Sequence, residues 1–185
     1  MKIRTAVLED AQAVAAIYAP YVRDTAITFE YDAPDAGQYE ERIRNILKDF
    51  PFLVAEEDGK IIGYAYAGRV RTRAAYQHCV ETSVYISRAQ RRSGAGRLLY
   101  EELEKLLLRQ NIYVLYACIT STERTDDPYL SDDSIRFHQK MGYTTVGSFH
   151  QCGYKFGRWY DVTWMEKPLA ARPDDPPPFR PFSEG

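Results

Sequence analysis

Apolar positions along the chain change period several times, and each change marks an element. "KIRTA" (2–6) reads as a short strand. In "EDAQAVAAIYAPYV" (9–22), Val14, Ile17, Tyr18, Tyr21 and Val22 recur at i, i+3, i+4, i+7 and i+8, one face of a helix. Pro20 is expected to kink or end that helix, because it has no N–H to give. Asp35 followed by Gln38 has the form of a capping box, and Tyr39, Ile43, Ile46 and Leu47 make the next helical stripe. "FLVAEE" and "KIIGYAYAG" flank Asp58-Gly59, the composition of a tight hairpin turn. "CVETSVYIS" (79–87) is a strand, 96–110 a helix and "IYVLYACIT" (112–120) a strand. "SIRFHQKM" is a helix stopped at Gly142, and "YTTVGSFH" and "WYDVTWMEK" are the last strands. Residues 69–78 and 120–133 are polar connections.

The order β-α-α-β-β-β-α-β-α-β-β implies an α/β fold, a mostly antiparallel sheet with helices on its faces. The unit 79–87, 96–110, 112–119 reads as a right-handed crossover, so its two strands should be parallel. From residue 168, "PLAARPDDPPPFRPF" is too rich in proline for helix or sheet. The expected organisation is one domain over 1–167 and a tail over 168–185.

Composition narrows the function classes. The chain has 185 residues, 45% hydrophobic, with a net charge of −2. That near-neutral balance gives no general attraction to nucleic acid or anionic membrane. No run approaches the roughly 18–20 apolar residues of a membrane span, and "MKIRTAVLED" lacks the apolar centre of a signal peptide. Cys79, Cys118 and Cys152 are odd in number and widely spaced, as reduced cytoplasmic thiols are, and unlike a zinc site. Cys118, between Ala117 and Ile119 on an expected central strand, reads as core. No metal is expected.

One stretch stands apart. "RRSGAG" (91–96) lies where a strand feeds a helix. Helix N-termini leave backbone N–H groups without partners and carry partial positive charge. Glycine lets a ligand approach without a Cβ in the way. Such a loop suits a pyrophosphate, although a tight strand-to-helix turn would look the same. It is neither a Walker loop nor G-x-G-x-x-G.

Set after its strand, Arg91-x-x-Gly94-x-Gly96 resembles the acyl-CoA loop of the GNAT N-acetyltransferases. "ETSVYIS...QRRSGAG", "SIRFHQKMGY", "GYKFGRWYDV" and "ITFEYDAP" resemble the phosphinothricin (methionine sulfoximine) N-acetyltransferase family in particular, over about residues 2–167. The resemblance implies a GNAT fold, a mixed, mostly antiparallel sheet with a splayed parallel strand pair and helices on both faces. It implies acetyl-CoA as cosubstrate, a small-molecule amine as acceptor and a homodimer. Val84, Tyr85 and Ile86 match the strand whose backbone pairs with the pantetheine arm. Arg92, Ser93, Gly94, Ala95, Gly96 and Arg97 match the loop that holds the pyrophosphate. Ser131 stands where the family usually has a CoA-contacting Asn; a helix N-cap is its other reading. Phe29, Arg71, Arg73 and Tyr76 fall at substrate-side positions.

Two residues carry the candidate chemistry. An alkylammonium must lose a proton before it attacks a thioester. Glu81 interrupts the apolar run "CVETSVY", and partial burial would raise its pKa toward the working range; a solvent-facing carboxylate is the alternative. His138 lies one turn from Ser134, where many GNAT enzymes place a tyrosine that protonates the leaving thiolate; packing is its alternative. The implied activity is direct acetyl transfer to the α-amine of an amino-acid-like substrate such as phosphinothricin, methionine sulfoximine or methionine sulfone. Rivals are another amine (a peptide N-terminus, a polyamine or an aminoglycoside) and a non-catalytic CoA-binding sensor or interaction module.

Overall fold

A computed structural model describes residues 1–182. The elements are β1 (Lys2–Thr5), α1 (Ala11–Asp24), α2 (Ala36–Asp49), β2 (Phe52–Glu57), β3 (Lys60–Arg69), β4 (Cys79–Ile86), α3 (Ala95–Arg109), β5 (Val114–Ser121), α4 (Asp133–Lys140), β6 (Thr144–Lys155) and β7 (Arg158–Pro168). Across the described residues the strands form one seven-stranded sheet in the order β1-β2-β3-β4-β5-β7-β6. The β4–β5 pair is parallel and its neighbours are antiparallel.

Local chemistry explains most boundaries. Asp35 caps α2 by accepting from the Gln38 amide (2.8 Å), while Gln38 Oε1 accepts from the Asp35 amide (2.9 Å). Asp58 and Gly59 both take positive φ in the β2–β3 turn, as a primed hairpin turn requires. Gly142 (φ 91°) follows α4. Pro20 does not end α1, which continues to Asp24. The last turns are held from outside the helix instead: Thr25 Oγ1 donates to the Tyr21 carbonyl (2.6 Å) and Lys155 Nζ to the Val22 carbonyl (2.7 Å).

The sheet separates two apolar layers. Leu99, Tyr100, Leu103 and Leu107 of α3 pack on Val80, Leu115, Ala117 and Met165. On the opposite face, Val14, Tyr18, Tyr21 and Val22 of α1 and Tyr39 and Ile43 of α2 pack on Phe52, Val54 and Tyr64.

Two stretches differ from the sequence reading. β6 extends past residue 150 to Lys155, because register shifts at Thr145/Gly147 and Phe149/Gly153 carry it beyond a polar stretch, with Gln151 at φ 49°. Tail residues also return to the body. Arg180 N donates to the Gln110 carbonyl (3.2 Å), Asn111 Nδ2 to the Pro178 carbonyl (2.7 Å), and the Phe179 ring lies 5.3 Å from that of Phe50.

Candidate active site

The site begins where two strands part. β4 pairs with β5 only from Cys79–Val114 to Glu81–Tyr116, yet keeps its pairing with β3 through Ile86. Thr82 Oγ1 donates to the Tyr116 carbonyl (3.3 Å), so a side chain takes over where the ladder stops. The resulting gap is a cleft lined by Ser83, Val84 and Tyr85 on one side and Ala117, Cys118 and Ile119 on the other. Ile27 and Leu130 reach it from loops.

Strand alternation sorts the candidate groups by face. Glu81, Ser83 and Tyr85 share the α1/α2 face with Cys118; Thr82 and Val84 share the α3 face with Ala117. Burial raises the Glu81 carboxyl above its ordinary pKa, and the nearby Arg71 guanidinium opposes the rise. Cys118 is exposed to the cleft rather than buried in the core, a correction to the sequence reading. β5 lacks the helical cover that α1 and α2 give β2 and β3. Desolvation by the walls of the cleft, then the charge of Glu81, pushes the Cys118 thiol up to about 12. It is therefore a thiol near neutral pH and a poor nucleophile.

His138 sits on the other face, 4% exposed. Its Nδ1 lies 2.8 Å from the Ser134 carbonyl and its Nε2 3.0 Å from the Tyr100 hydroxyl. A carbonyl only accepts, so Nδ1 carries the hydrogen and Nε2 accepts from Tyr100. Burial lowers the His138 pKa, with the Ser134 bond opposing, and keeps the ring neutral. Thr82 Oγ1 and the Tyr143 hydroxyl, 3.0 Å apart, complete this buried polar cluster. Tyr100 and Thr82 escaped the sequence reading because both sit at positions that read as ordinary core. Their signal appears only when α3, α4 and β4 converge.

The glycine loop divides its labour. Gly94 is the N-cap of α3 at φ 88°, and a Cβ built there meets nothing within 4 Å. Any side chain would project into open space before the helix. Gly96 instead packs: a Cβ there would lie 3.3 Å from the Phe137 ring. Arg92 also has positive φ (65°), and the Ala95 amide donates to Ser93 Oγ (3.3 Å). The Arg97 side chain turns to Glu101 (2.6 Å), leaving its backbone as the group this loop can offer. Amides in the first turn have no intrahelical acceptor. Positive φ, open space and the first-turn amides suit the pyrophosphate of an acyl-CoA, and the edge of Val84 beyond the β5 ladder suits its amide-bearing arm; Tyr85 turns its backbone N–H and C=O toward β3, where it pairs with Tyr64. Ile86 offers its N–H alone, since its carbonyl accepts from the Tyr21 hydroxyl (2.6 Å).

The remaining candidates are scattered. Ser131 is not the N-cap of α4, a position that Asp132 occupies. Its hydroxyl donates to Asp133 Oδ2 (2.9 Å), while Ser134 lines the cleft. Arg73 and Tyr76 stand exposed around a 3-10 turn (Ala74–Tyr76). Arg71 is exposed, with Nη1 donating to the Val70 carbonyl (2.8 Å). Phe29 packs on Gly153 beside the cleft's loop wall. Among the described residues no group of three or more His, Cys, Asp or Glu is placed to hold a metal, and no helix is long and apolar enough to cross a membrane.

A seven-stranded sheet splayed at its parallel pair, with a glycine turn opening the next helix, defines an acetyltransferase architecture. Residues 3–164 match the acetyltransferase (GNAT) domain family, and the chain belongs to it. As a member it is an acetyl-CoA-dependent N-acetyltransferase. The chain is 32% identical over 184 residues to the phosphinothricin N-acetyltransferase of Streptomyces viridochromogenes, covering 100% of this chain and 96% of that one. It is 35% identical over 173 residues to the L-methionine sulfoximine/L-methionine sulfone acetyltransferase of Salmonella typhimurium, covering 91% and 95%. Its structure is similar to that of a Sinorhizobium meliloti phosphinothricin acetyltransferase in complex with acetyl-CoA, with a TM-score of 0.84 and 29% identity over 98% and 97% of the chains.

Proposed function

We propose that this chain acetylates the α-amine of a small amino-acid-like substrate, with phosphinothricin, methionine sulfoximine and methionine sulfone as the model acceptors. The observation that carries this reading is the gap through the sheet, with Glu81 and Arg71 on one face and His138 with Tyr100 on the other. The similarity to acetyltransferases named for these compounds supports it.

When bound, acetyl-CoA supplies the thioester; the first-turn amides of α3 and the backbone edge of Val84 and Ile86 would hold it. Glu81 accepts the proton of the incoming ammonium, directly or through water, and its raised pKa makes it a stronger acceptor than an ordinary carboxylate. The amine nitrogen bonds to the carbonyl carbon as the C–S bond breaks, its second proton passes to the departing thiolate, and the backbone N–H of Ile86, on the edge that faces the gap, supports the oxyanion. On the far face the Tyr100 hydroxyl, which rests on His138 Nε2, turns to the departing sulfur, while Ser134 keeps the His138 Nδ1–H. A thiol has a pKa of about 8.5, so its anion leaves without a strong acid. Arg71, Arg73 and Tyr76 bind the substrate's carboxylate and its second acidic or polar group, with Phe29 against its side chain.

Arg71 and Arg73 of the basic stretch disfavour a polyamine or aminoglycoside by like charge, while Arg69 is paired with Asp49. The three free cysteines fit a reducing cytoplasm. Val146, Phe149, Tyr154 and Trp159 stand exposed on β6 and β7 at a sheet edge, which supports a homodimer; sedimentation velocity reads it directly. A thiol-release assay tests the acceptor. The three model compounds should turn over well ahead of spermidine, an aminoglycoside and an N-terminal peptide. A peptide or polyamine as best substrate refutes the reading, and acetyl-CoA binding without turnover of any amine makes the chain a binding module.

A further inference from the structure

Lys155 is 3% exposed and plays no part in the chemistry above. It ends β6, and its ammonium donates to two carbonyls, Val22 and Thr28, each at 2.7 Å. Val22 lies in the last turn of α1, where carbonyls lack intrahelical donors and a cation is favoured. Thr28 lies in the α1–α2 connection. One buried charge thus ties the end of a helix, the loop after it and the β6–β7 hairpin together.

Other contacts fix the same loop. The Phe29 ring occupies the space a Cβ on Gly153 would need. The Tyr31 hydroxyl donates to the Tyr154 carbonyl (2.5 Å) and the Ala26 amide to the Tyr129 carbonyl (2.9 Å). Gly153 does not have positive φ, so its glycine serves space alone. The loop so held carries Ile27 into the cleft.

We propose that Lys155 and Gly153 are positioning residues for the acceptor: they lock loop 25–30 so that Ile27 and Phe29 form a rigid wall at the amine end of the cleft. This rests on the acceptor reading above. The lock lies in loop 25–30 and β6, away from the α3 loop assigned to acetyl-CoA, so the two substrates should respond differently.

The experiment compares wild type with Lys155→Met, Lys155→Arg and Gly153→Ala. It measures kcat and KM for methionine sulfone, acetyl-CoA affinity by calorimetry, and amide exchange across residues 25–30. In Lys155→Met, KM for the amine should rise about tenfold or more, since small misplacements of positioning groups are costly. Acetyl-CoA affinity should stay within about twofold of wild type, because the loop keeps its first-turn amides. Exchange in 25–30 should accelerate, and Lys155→Arg should recover part of both effects. Gly153→Ala should raise the amine KM by displacing Phe29, which keeps the proposal testable if Lys155→Met fails to fold. Equal losses for both substrates would make Lys155 merely structural. Unchanged exchange in Lys155→Met would refute the lock, and faster exchange with an unchanged amine KM would refute the wall. Wild-type turnover of no amine would remove the acceptor reading and the wall with it, while the exchange comparison still decides the lock.

Discussion

Glu81 and His138 are separated by the sheet, and that separation assigns them different costs. Glu81→Gln keeps the side chain's shape and removes the proton acceptor. Its kcat should fall on the order of 10²–10⁴-fold, the usual contribution of a general base, with acetyl-CoA affinity unchanged by calorimetry. Protonated Glu81 cannot accept a proton, so wild-type kcat/KM should rise with pH through the raised Glu81 pKa, and this limb should vanish in the variant. The same shift has a stability sign. A carboxyl whose folded pKa is raised favours the fold while protonated, and that contribution is lost as pH rises through the folded value. Glu81→Gln should therefore gain thermal stability over wild type above that value and not below it. His138→Ala should cost less activity than Glu81→Gln, because the thiolate needs little help. Tyr100→Phe leaves His138 Nε2 buried without its donor and should destabilise by about 1–3 kcal/mol, read by denaturant titration. A larger activity loss in His138→Ala than in Glu81→Gln would reverse the two roles.

The strand–loop–helix unit from β4 to α3 gives its two glycines separate tests. Gly94→Asp places a carboxylate in the open space before the α3 N-terminus, where the anion would lie. Calorimetry should show acetyl-CoA binding lost, with the circular dichroism spectrum close to wild type and a lower melting temperature, because a side chain at φ 88° strains the turn. Gly96→Val drives side-chain atoms into the Phe137 ring and should cost about 1–3 kcal/mol by overpacking, seen as a lower melting temperature. The sequence made both glycines look like one phosphate loop. The packing of α3 against α4, which no local pattern carries, separates them. The capping box of α2 and the Asp58-Gly59 hairpin were legible beforehand because their chemistry lies within a few adjacent residues. The full length of β6 was not, because its bulges are settled by pairing with β7.

At the scale of the whole molecule, residues 178–180 of the proline-rich tail return to the body, while 171–177 stay exposed. Phe179 rests on Phe50, and the Arg69 guanidinium lies 5.5 Å from its ring centre. Gln110 Nε2 donates to the Arg180 carbonyl (2.8 Å). Phe179→Ala should cost about 1–2 kcal/mol, given that Phe179 is only partly buried. At this size that is a fall of about 2–8 °C in melting temperature by calorimetry. Truncation after Leu169 should cost more, since it also removes the bonds to Gln110 and Asn111. An unchanged melting temperature in both would show that the tail adds nothing to stability.

The order of elements, the crossover between β4 and β5, and the resemblance carried by "ETSVYIS", "RRSGAG" and "SIRFHQKMGY" were all readable from the chain itself. Such features rest on periodicity, capping and turn chemistry, which act between near neighbours. Tertiary structure alone decided where β4 leaves β5 and that Glu81 and His138 take opposite faces. It alone exposed Cys118 to the cleft, gave His138 its Tyr100 partner and buried Lys155 against the end of α1. Each joins residues far apart in sequence, and a side chain's burial and hydrogen-bond partners are properties of the packed whole rather than of its neighbours in the chain.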